Sequence, residues 1–210
     1  MKINVPNLAR FATADVGGVR QAFATATPCC MGQAWLTEPE ANFAPATVWT
    51  GWRGESVLVF AELADRDIYN TATELNQPVF LMGDVLEIFL RAEGCESYVE
   101  FHVTPENQQF QLRIPATDRQ QDGQLIPGPA FTSTTWVDQP AGRWFVYAEI
   151  PAASVCERAP RSLSGQEWLF SFSRYDYTRP DPTPVISSTS PHRVPSFHRQ
   201  AEWGTLRFQP

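Results

Sequence analysis

Hydrophobic and polar positions alternate between Gly83 and Thr104, and the alternation predicts two β-strands joined by a short turn. Six apolar side chains fall on one face of these strands: Leu86, Ile88, Leu90, Val99, Phe101 and Val103. Four polar side chains fall on the opposite face: Glu87, Tyr98, Glu100 and His102. The turn residues Glu93–Glu96 suit a hairpin. If the apolar face packs into a core, the polar face is either a polar binding site or a solvated sheet surface.

Further runs of β character recur at short spacing along the chain. They predict strands at these positions: Val19–Ala26, Ala46–Trp52, Glu55–Glu62, Gln108–Ile114, Phe131–Val137, Arg143–Ile150, Glu167–Arg174 and Trp203–Phe208. We find no sustained helical period and no shift in composition. We therefore predict an all-β fold over residues 1–210, a single β-sandwich of the immunoglobulin-like or jelly-roll type. The Pro- and Ser-rich connection Tyr175–Gln200 is long for such a domain, and long connections are often functional.

Charge and hydropathy narrow the range of partners. The 210 residues contain 16 Lys and Arg against 23 Asp and Glu, a net charge of −7 with histidine neutral. With no basic run, this balance argues against nucleic acid as a partner. No apolar stretch reaches membrane-spanning length, which argues against a membrane partner. The first residues lack the apolar run of a secretory leader, so we expect a cytoplasmic protein.

The four cysteines do not follow a metal-binding spacing. Cys29 and Cys30 are adjacent, and no pair is separated by two residues. Without an export signal, all four are expected to be free thiols. A disulfide between Cys95 and Cys156 is the alternative if the protein is exported.

Candidate chemistry is sparse. The chain has no nucleophile elbow, zinc-protease helix, phosphate loop or dinucleotide fingerprint. Glu87 and Glu100 could be a glycosidase acid and base, so whether the protein is an enzyme stays open, with a non-catalytic role favoured. Asp65, Asp67 and Asp84 could supply loop oxygens to calcium. The aromatic content of 12% suits sugar binding, because flat rings pack against the C–H faces of sugars.

The order of several short motifs is more specific than any one of them. From the middle of the chain onward they read Asp84-x-x-Glu87-Ile88-Phe89, Tyr98-x-Glu100-Phe101-x-Val103, Trp144…Ile150-Pro151, Trp168-x-Phe170-x-x-x-Arg174, Ser188-x-Ser190-Pro191, Phe197-His198 and Trp203-Gly204-x-Leu206. This succession resembles the family 9 carbohydrate-binding modules, especially the stand-alone family 9-like proteins. The resemblance runs from about Trp49 to the C-terminus, and residues 1–45 match only weakly.

The resemblance implies a β-sandwich that binds a small saccharide without cleaving it. Such modules often accompany glycoside hydrolases in carbohydrate catabolism, and calcium is structural in some of them. By position, Glu87 corresponds to the acceptor of sugar hydroxyls. Glu100 and His102 correspond to polar contacts on the neighbouring strand, and Arg174 and His198 fall on motif positions without an assigned role.

The chain departs from the family pattern where the ligand should stack. The family clamps a sugar between two tryptophans, and the corresponding residues here are Leu81 and Thr189. Neither side chain can stack on a sugar ring, so any binding should be weak. Four residues could replace the lost stacking at the same rim: Met82, His102, Phe197 and Trp203.

We therefore predict a shallow polar cleft with Glu87 and Glu100 as its floor and Arg174, Phe197 and His198 as its walls. Tyr98 and His102 complete the candidate binding set, and Arg174 would balance the two carboxylates. Three alternatives stay open: a scaffold that has lost sugar binding and acts as a protein-interaction module, a saccharide-acting enzyme or accessory domain, and a haem-binding sandwich. In the last, Met82 with His102 or His198 would supply the axial ligands.

Overall fold

The strands of the chain form two sheets, in a computed structural model that describes residues 1–116, 123–158 and 162–210. In chain order the strands are β1 (Lys2–Val5), β2 (Cys29–Cys30), β3 (Ala46–Arg53), β4 (Ser56–Ala64), β5 (Val85–Arg91), β6 (Tyr98–Val103), β7 (Gln109–Ile114), β8 (Gln124–Leu125), β9 (Thr132–Asp138), β10 (Arg143–Pro151), β11 (Glu167–Asp176), β12 (Val185–Ser188) and β13 (Gly204–Phe208). Two short α-helices, α1 (Val16–Ala22) and α2 (Ala152–Val155), and two 3₁₀ turns, Val79–Leu81 and Gln200–Glu202, accompany them.

The two sheets pack as the predicted all-β sandwich. The larger sheet has the order β1-β13-β11-β5-β6-β7-β8, with β12 also paired to β11. The smaller sheet has the order β2-β3-β4-β10-β9. Neighbouring strands are antiparallel except β1, which runs parallel to β13 and pairs Lys2 with Thr205. The N-terminal residues, which match the family pattern only weakly, are thus part of the larger sheet.

The central hairpin of strands β5 and β6 supplies the middle of the core. Leu86 pairs with Val103, Ile88 with Phe101 and Leu90 with Val99. All six side chains are fully buried between the sheets, as their alternation predicts. They meet apolar side chains of the smaller sheet such as Val57, Val59, Val146 and Ala148.

The predicted strand Val19–Ala26 is wrong, because the first residues of this segment belong to the helix α1. The Asp15 side chain accepts a hydrogen bond from the Gly18 amide at 3.0 Å and so caps the helix. Val19, Phe23 and Ala26 repeat at helical spacing and pack on the outer face of the smaller sheet. The helical period was present in the sequence, but the β-branched and aromatic residues suggested a strand.

The outer face of the larger sheet is also covered, which the sequence did not predict. Ten buried side chains form a second apolar cluster there: Ala72, Val79, Val85, Phe89, Tyr98, Phe110, Leu112, Ile114, Phe197 and Trp203. The Trp203 indole donates to the Phe197 carbonyl at 2.7 Å and holds the end of the Tyr175–Gln200 connection against the sheet. Strands β5 and β6 are therefore buried on both faces.

Cys95 and Cys156 form a disulfide, so the prediction of four free thiols is wrong for this pair. The hairpin turn and the end of α2 bring together two cysteines that are 61 residues apart in sequence. Cys29 and Cys30 are free, as predicted. Disulfides are typical of oxidising compartments, which counts against the expected cytoplasmic location. Within the described part of the chain, no helix is long and apolar enough to cross a membrane.

Thiol titration checks this cysteine arrangement. The native protein should react quickly at Cys30 alone, because Cys30 is exposed while burial, together with the charge of Cys30, raises the pKa of Cys29 to about 12. Denatured, unreduced protein should show both free thiols, and reduction should reveal the Cys95–Cys156 pair. Four reactive thiols before reduction would contradict the disulfide.

Candidate functional site

Five titratable side chains form a continuous polar chain on the outer face of the larger sheet. Glu87 Oε1 lies 3.4 Å from His102 Nδ1, and His102 Nε2 lies 3.4 Å from Glu100 Oε2. Glu100 Oε1 lies 3.0 Å from His198 Nδ1, which is 2.9 Å from the Tyr98 hydroxyl. We call Glu87, His102, Glu100, His198 and Tyr98 the polar chain. It alternates acids and imidazoles, so charges of opposite sign can be neighbours along its length.

Strand register places four of these residues together. Glu87 on β5 pairs directly with His102 on β6, and Phe89 pairs with Glu100. Successive side chains alternate between faces, so Tyr98, Glu100 and His102 share the outer face with Glu87. His198 comes from the end of the Tyr175–Gln200 connection, and this end lies over the same face. The structure thus brings together all the predicted site residues except Arg174.

The polar chain is buried rather than set in an open cleft, so the predicted shallow cleft is wrong. Glu100 and His102 are 0% exposed, and Glu87 is 4% exposed. Only His198, with 21% of its side chain exposed, reaches solvent to a larger extent. Both nitrogens of His102 face carboxylates, an arrangement that does not suit the haem-ligand alternative.

Aromatic side chains exclude water from the polar chain. The ring of His102 lies 4.9 Å from Phe110 and 6.0 Å from Phe80, measured between centroids. Phe197, 4% exposed, contacts Phe89, and its ring lies 5.9 Å from Tyr175. Strand alternation predicted that this face of the sheet is open to solvent. The alternation could not reveal the apolar cover, because the covering side chains come from other segments of the chain.

Burial and the two imidazoles shift the carboxylates in opposite directions. Burial raises the pKa of Glu87 to about 7, although the charge of His102 opposes the shift. Burial also raises the pKa of Glu100, but His102 and His198 together outweigh it and hold that pKa below its ordinary value. Near neutral pH, Glu100 is therefore ionised while Glu87 is close to its midpoint.

Trp35 is a candidate contact residue that sequence reasoning missed. It is half-buried, and its ring lies 6.3 Å from that of Phe197. The segment carrying it is tied to the sheet by Gln33, whose side-chain amide donates to the Ile186 carbonyl at 3.0 Å. Trp35 lies in the weakly matched first 45 residues, and no local pattern there distinguishes a surface tryptophan from a core one.

Arg174 lies on the opposite face of the larger sheet from Glu87, so it cannot be a wall of the predicted site. In the register of β11 and β5, Ser173 pairs with Glu87 and Arg174 pairs with Leu86. Arg174 therefore faces the smaller sheet and is fully buried. His102 and His198, rather than Arg174, balance the carboxylates of the polar chain. The sequence held a signal for this, because Arg174 shares its parity with Phe172.

Arg174 is instead part of a second buried group of charges. One oxygen from each of Asp65, Asp84 and Asp176 lies within 4.8 Å of the others. The Arg174 Nη2 atom lies 2.9 Å from Asp65 Oδ2 and 3.3 Å from Asp176 Oδ2. Burial and the charge of Asp65 raise the pKa of Asp84 to about 9, and burial raises that of Asp176 to about 6. We call these four residues the internal acid cluster.

The internal acid cluster bears on the calcium expectation. Asp67, one of the expected ligands, lies outside it and pairs with Arg179 through both carboxylate oxygens. Asp84 accepts the amides of Tyr69 and Tyr177, each at 2.8 Å, on its two oxygens. With Arg174 between the other two carboxylates, the donor set does not fit a calcium ion.

Comparison with known proteins agrees with the architecture. No family model matches the sequence, and no curated protein matches it. Among solved structures, a candidate carbohydrate-binding protein from Bacteroides uniformis is similar over 99% of both chains, with a TM-score of 0.80 and 16% identity. Two family 9 carbohydrate-binding module structures from Caldicellulosiruptor kristjanssonii, in complex with cellotriose and with glucose, are similar over 100% of this chain and over 94% and 96% of theirs. Their TM-scores are 0.68 and 0.67, each at 13% identity.

The chain therefore has the fold of the family 9 carbohydrate-binding modules. The similarity includes the N-terminal residues, in agreement with the place of β1 in the larger sheet. Leu81, at one expected tryptophan position, is 68% exposed on the 3₁₀ turn before β5. Thr189, at the other, accepts a hydrogen bond from the Phe172 amide at 3.1 Å through its hydroxyl.

The raised pKa of Glu87 predicts a pH-dependent stability difference between wild type and Glu87→Gln. The folded protein holds a proton on Glu87 up to about pH 7, whereas the unfolded chain releases it near the ordinary pKa of 4.5. The folded state thus binds more protons in this window, and the contribution of Glu87 to stability falls as pH rises through it. The glutamine variant cannot titrate at this position. Its free energy of unfolding, measured relative to wild type, should therefore increase by up to about 3 kcal/mol between pH 5 and pH 8.

Urea unfolding of both proteins at pH 5, 6, 7 and 8 measures this gain. Glu149→Gln, on the smaller sheet and beside Arg53, is the matched control and should keep a constant difference from wild type. A Glu87→Gln difference that does not change with pH would contradict the raised pKa.

Proposed function

We propose that this protein binds a small saccharide without cleaving it, at the outer face of the larger sheet where the polar chain reaches the surface. The observation that carries the proposal is the arrangement of that chain. The polar chain is exposed mainly at His198, with 21% of its side chain in solvent, whereas Glu87 is 4% exposed. The half-buried rings of Trp35 and Tyr175 lie on the same face. Sugar sites combine such polar groups with aromatic surfaces.

The residues suggest how a sugar would be held. Glu87 would accept hydrogen bonds from sugar hydroxyls once the aromatic cover over it moves aside, with His102 behind it. His198 would contact the ring through its exposed part, with its Nδ1 atom directed toward Glu100. Tyr175, on the strand next to Glu87 and on the same face, and Trp35 would supply aromatic surface. The two family 9 module structures are complexes with cellotriose and with glucose, which makes glucose and short β-glucans the first ligands to test.

A binding role agrees better with the geometry than hydrolysis does. Glu87 and Glu100 contact opposite nitrogens of one imidazole, and Glu100 is fully buried. A glycosidase presents its two carboxyl groups on either side of a bond in an accessible cleft. Glu100 is better explained as the group that keeps His102 and His198 in place.

A second candidate function is supported by the rim of this face. Leu81 and Thr189 provide no flat surface where the family pattern has tryptophans. Leu81 leaves most of an apolar side chain in water, as a contact residue for another protein would. The alternative is therefore a scaffold that has lost sugar binding and serves as a protein-interaction module.

Calorimetry with glucose and cellotriose at pH 8 tests the proposal. Weak but saturable binding is expected, and Glu87→Gln should weaken it by about 1–3 kcal/mol, the range for a hydrogen bond to a charged group. Trp35→Ala should also weaken it, and Glu149→Gln should leave it unchanged. Affinity should fall as pH drops below 7, because Glu87 then gains a proton and becomes a poorer acceptor.

The controls separate the alternatives. No binding across a broad glycan array at pH 8 would favour the interaction module. Release of reducing sugar that Glu87→Gln abolishes would show an enzyme. The urea unfolding series gives the stability of Glu87→Gln at pH 8 directly, so a loss of binding in the folded variant cannot be attributed to unfolding.

A further inference from the structure

The internal acid cluster joins three separate parts of the sandwich. Asp65 follows β4 of the smaller sheet, Asp84 precedes β5, and Asp176 ends β11 of the larger sheet. All three are buried, and Asp84 is completely so. Carboxylates collected in this way from several elements require a positive charge between them, because an uncompensated buried charge is costly.

We propose that the guanidinium of Arg174 takes the place of a divalent cation in this cluster, so that the sandwich needs no metal here and gains a calcium site when the guanidinium is removed. The Nη2 atom bridges Asp65 Oδ2 and Asp176 Oδ2, as a bound ion would. Arg174 reaches this position from β11 and is 0% exposed, so solvent cannot replace it.

The surroundings match a site built around one fixed cation. The Trp144 indole donates to Asp65 Oδ2 at 3.2 Å, and the Asp67 amide donates to Asp65 Oδ1 at 2.9 Å. Both oxygens of Asp84 accept backbone amides, so the oxygens left for an ion are those of Asp65 and Asp176 that the guanidinium bridges. Asp65 is held by groups other than Arg174, and Asp176 is placed beside it by the end of β11. These oxygens should stay close together when the guanidinium is absent, and converging carboxylate oxygens are what calcium binds.

The first experiment uses wild-type protein. Thermal unfolding in EDTA and in millimolar calcium chloride should give melting temperatures that agree to within about 1 °C, since a ligand that does not bind the native state adds no stability. A wild-type melting temperature that rises with calcium, with the rise lost in Asp176→Asn, would overturn the proposal.

The second experiment removes the guanidinium and keeps the apolar stem, as Arg174→Met. In EDTA this variant should melt about 6 °C or more below wild type, because breaking a buried ion pair leaves charges unpaired. Calcium should restore part of that loss, and adding Asp65→Asn should abolish the calcium response. Arg179→Met removes the exposed pair with Asp67 and the contact of the guanidinium with the Tyr69 ring, but leaves the internal acid cluster intact. It is the matched control and should show no calcium response.

Each remaining outcome has a defined meaning. If Arg174→Met is unfolded in EDTA, refolding on addition of calcium supports the proposal. Failure to fold or to gain stability in calcium contradicts it. A calcium response of equal size in Arg179→Met also contradicts it, because the new site would then lie elsewhere.

Discussion

Both faces of the larger sheet are covered, and this burial determines which partners the charged side chains of its strands must have. A strand buried on one face can leave its polar residues in water, but β5 and β6 have no such free face. Every acid on these strands must therefore find a partner within the protein. The polar chain is one solution, on the outer face of β5 and β6. The internal acid cluster is a second, between the sheets where β4 ends, β5 begins and β11 ends.

The two solutions differ in the cation used. On the outer face the partners of Glu87 and Glu100 are histidines, a residue type whose charge depends on pH. On the inner face the partner is an arginine, whose guanidinium bridges two carboxylates through one nitrogen. Both groups can change charge near neutrality, because burial raises the pKa of Glu87 to about 7 and that of Asp176 to about 6. They differ in geometry, since the outer group uses separate imidazole rings and the inner group uses one planar guanidinium.

Much of the architecture could be predicted from local pattern, because the side-chain period of a strand is strict. The period placed Glu87, Glu100 and His102 on one face and Ile88 in the core without knowledge of the pairing. It failed for Arg174 only because the residue was assigned by motif rather than by parity with Phe172. The Cys95–Cys156 bond and the meeting of Asp84 with Asp176 depend on contacts between distant segments, and no local pattern encodes them. Much of the cover over the polar chain comes from irregular connections. Their side chains follow no regular alternation, so the sequence pattern could not predict which of them are buried.

The parallel pairing of β1 with β13 affects how the chain can fold. Lys2 pairs with Thr205, so the first strand must wait for nearly the last residues before its backbone groups have partners. Contacts between residues so far apart in sequence carry a large loop-closure cost and slow folding. During synthesis on the ribosome, β1 would emerge long before β13 and stay unpaired until β13 follows. The first strand of the sandwich is therefore among the last that can take its place.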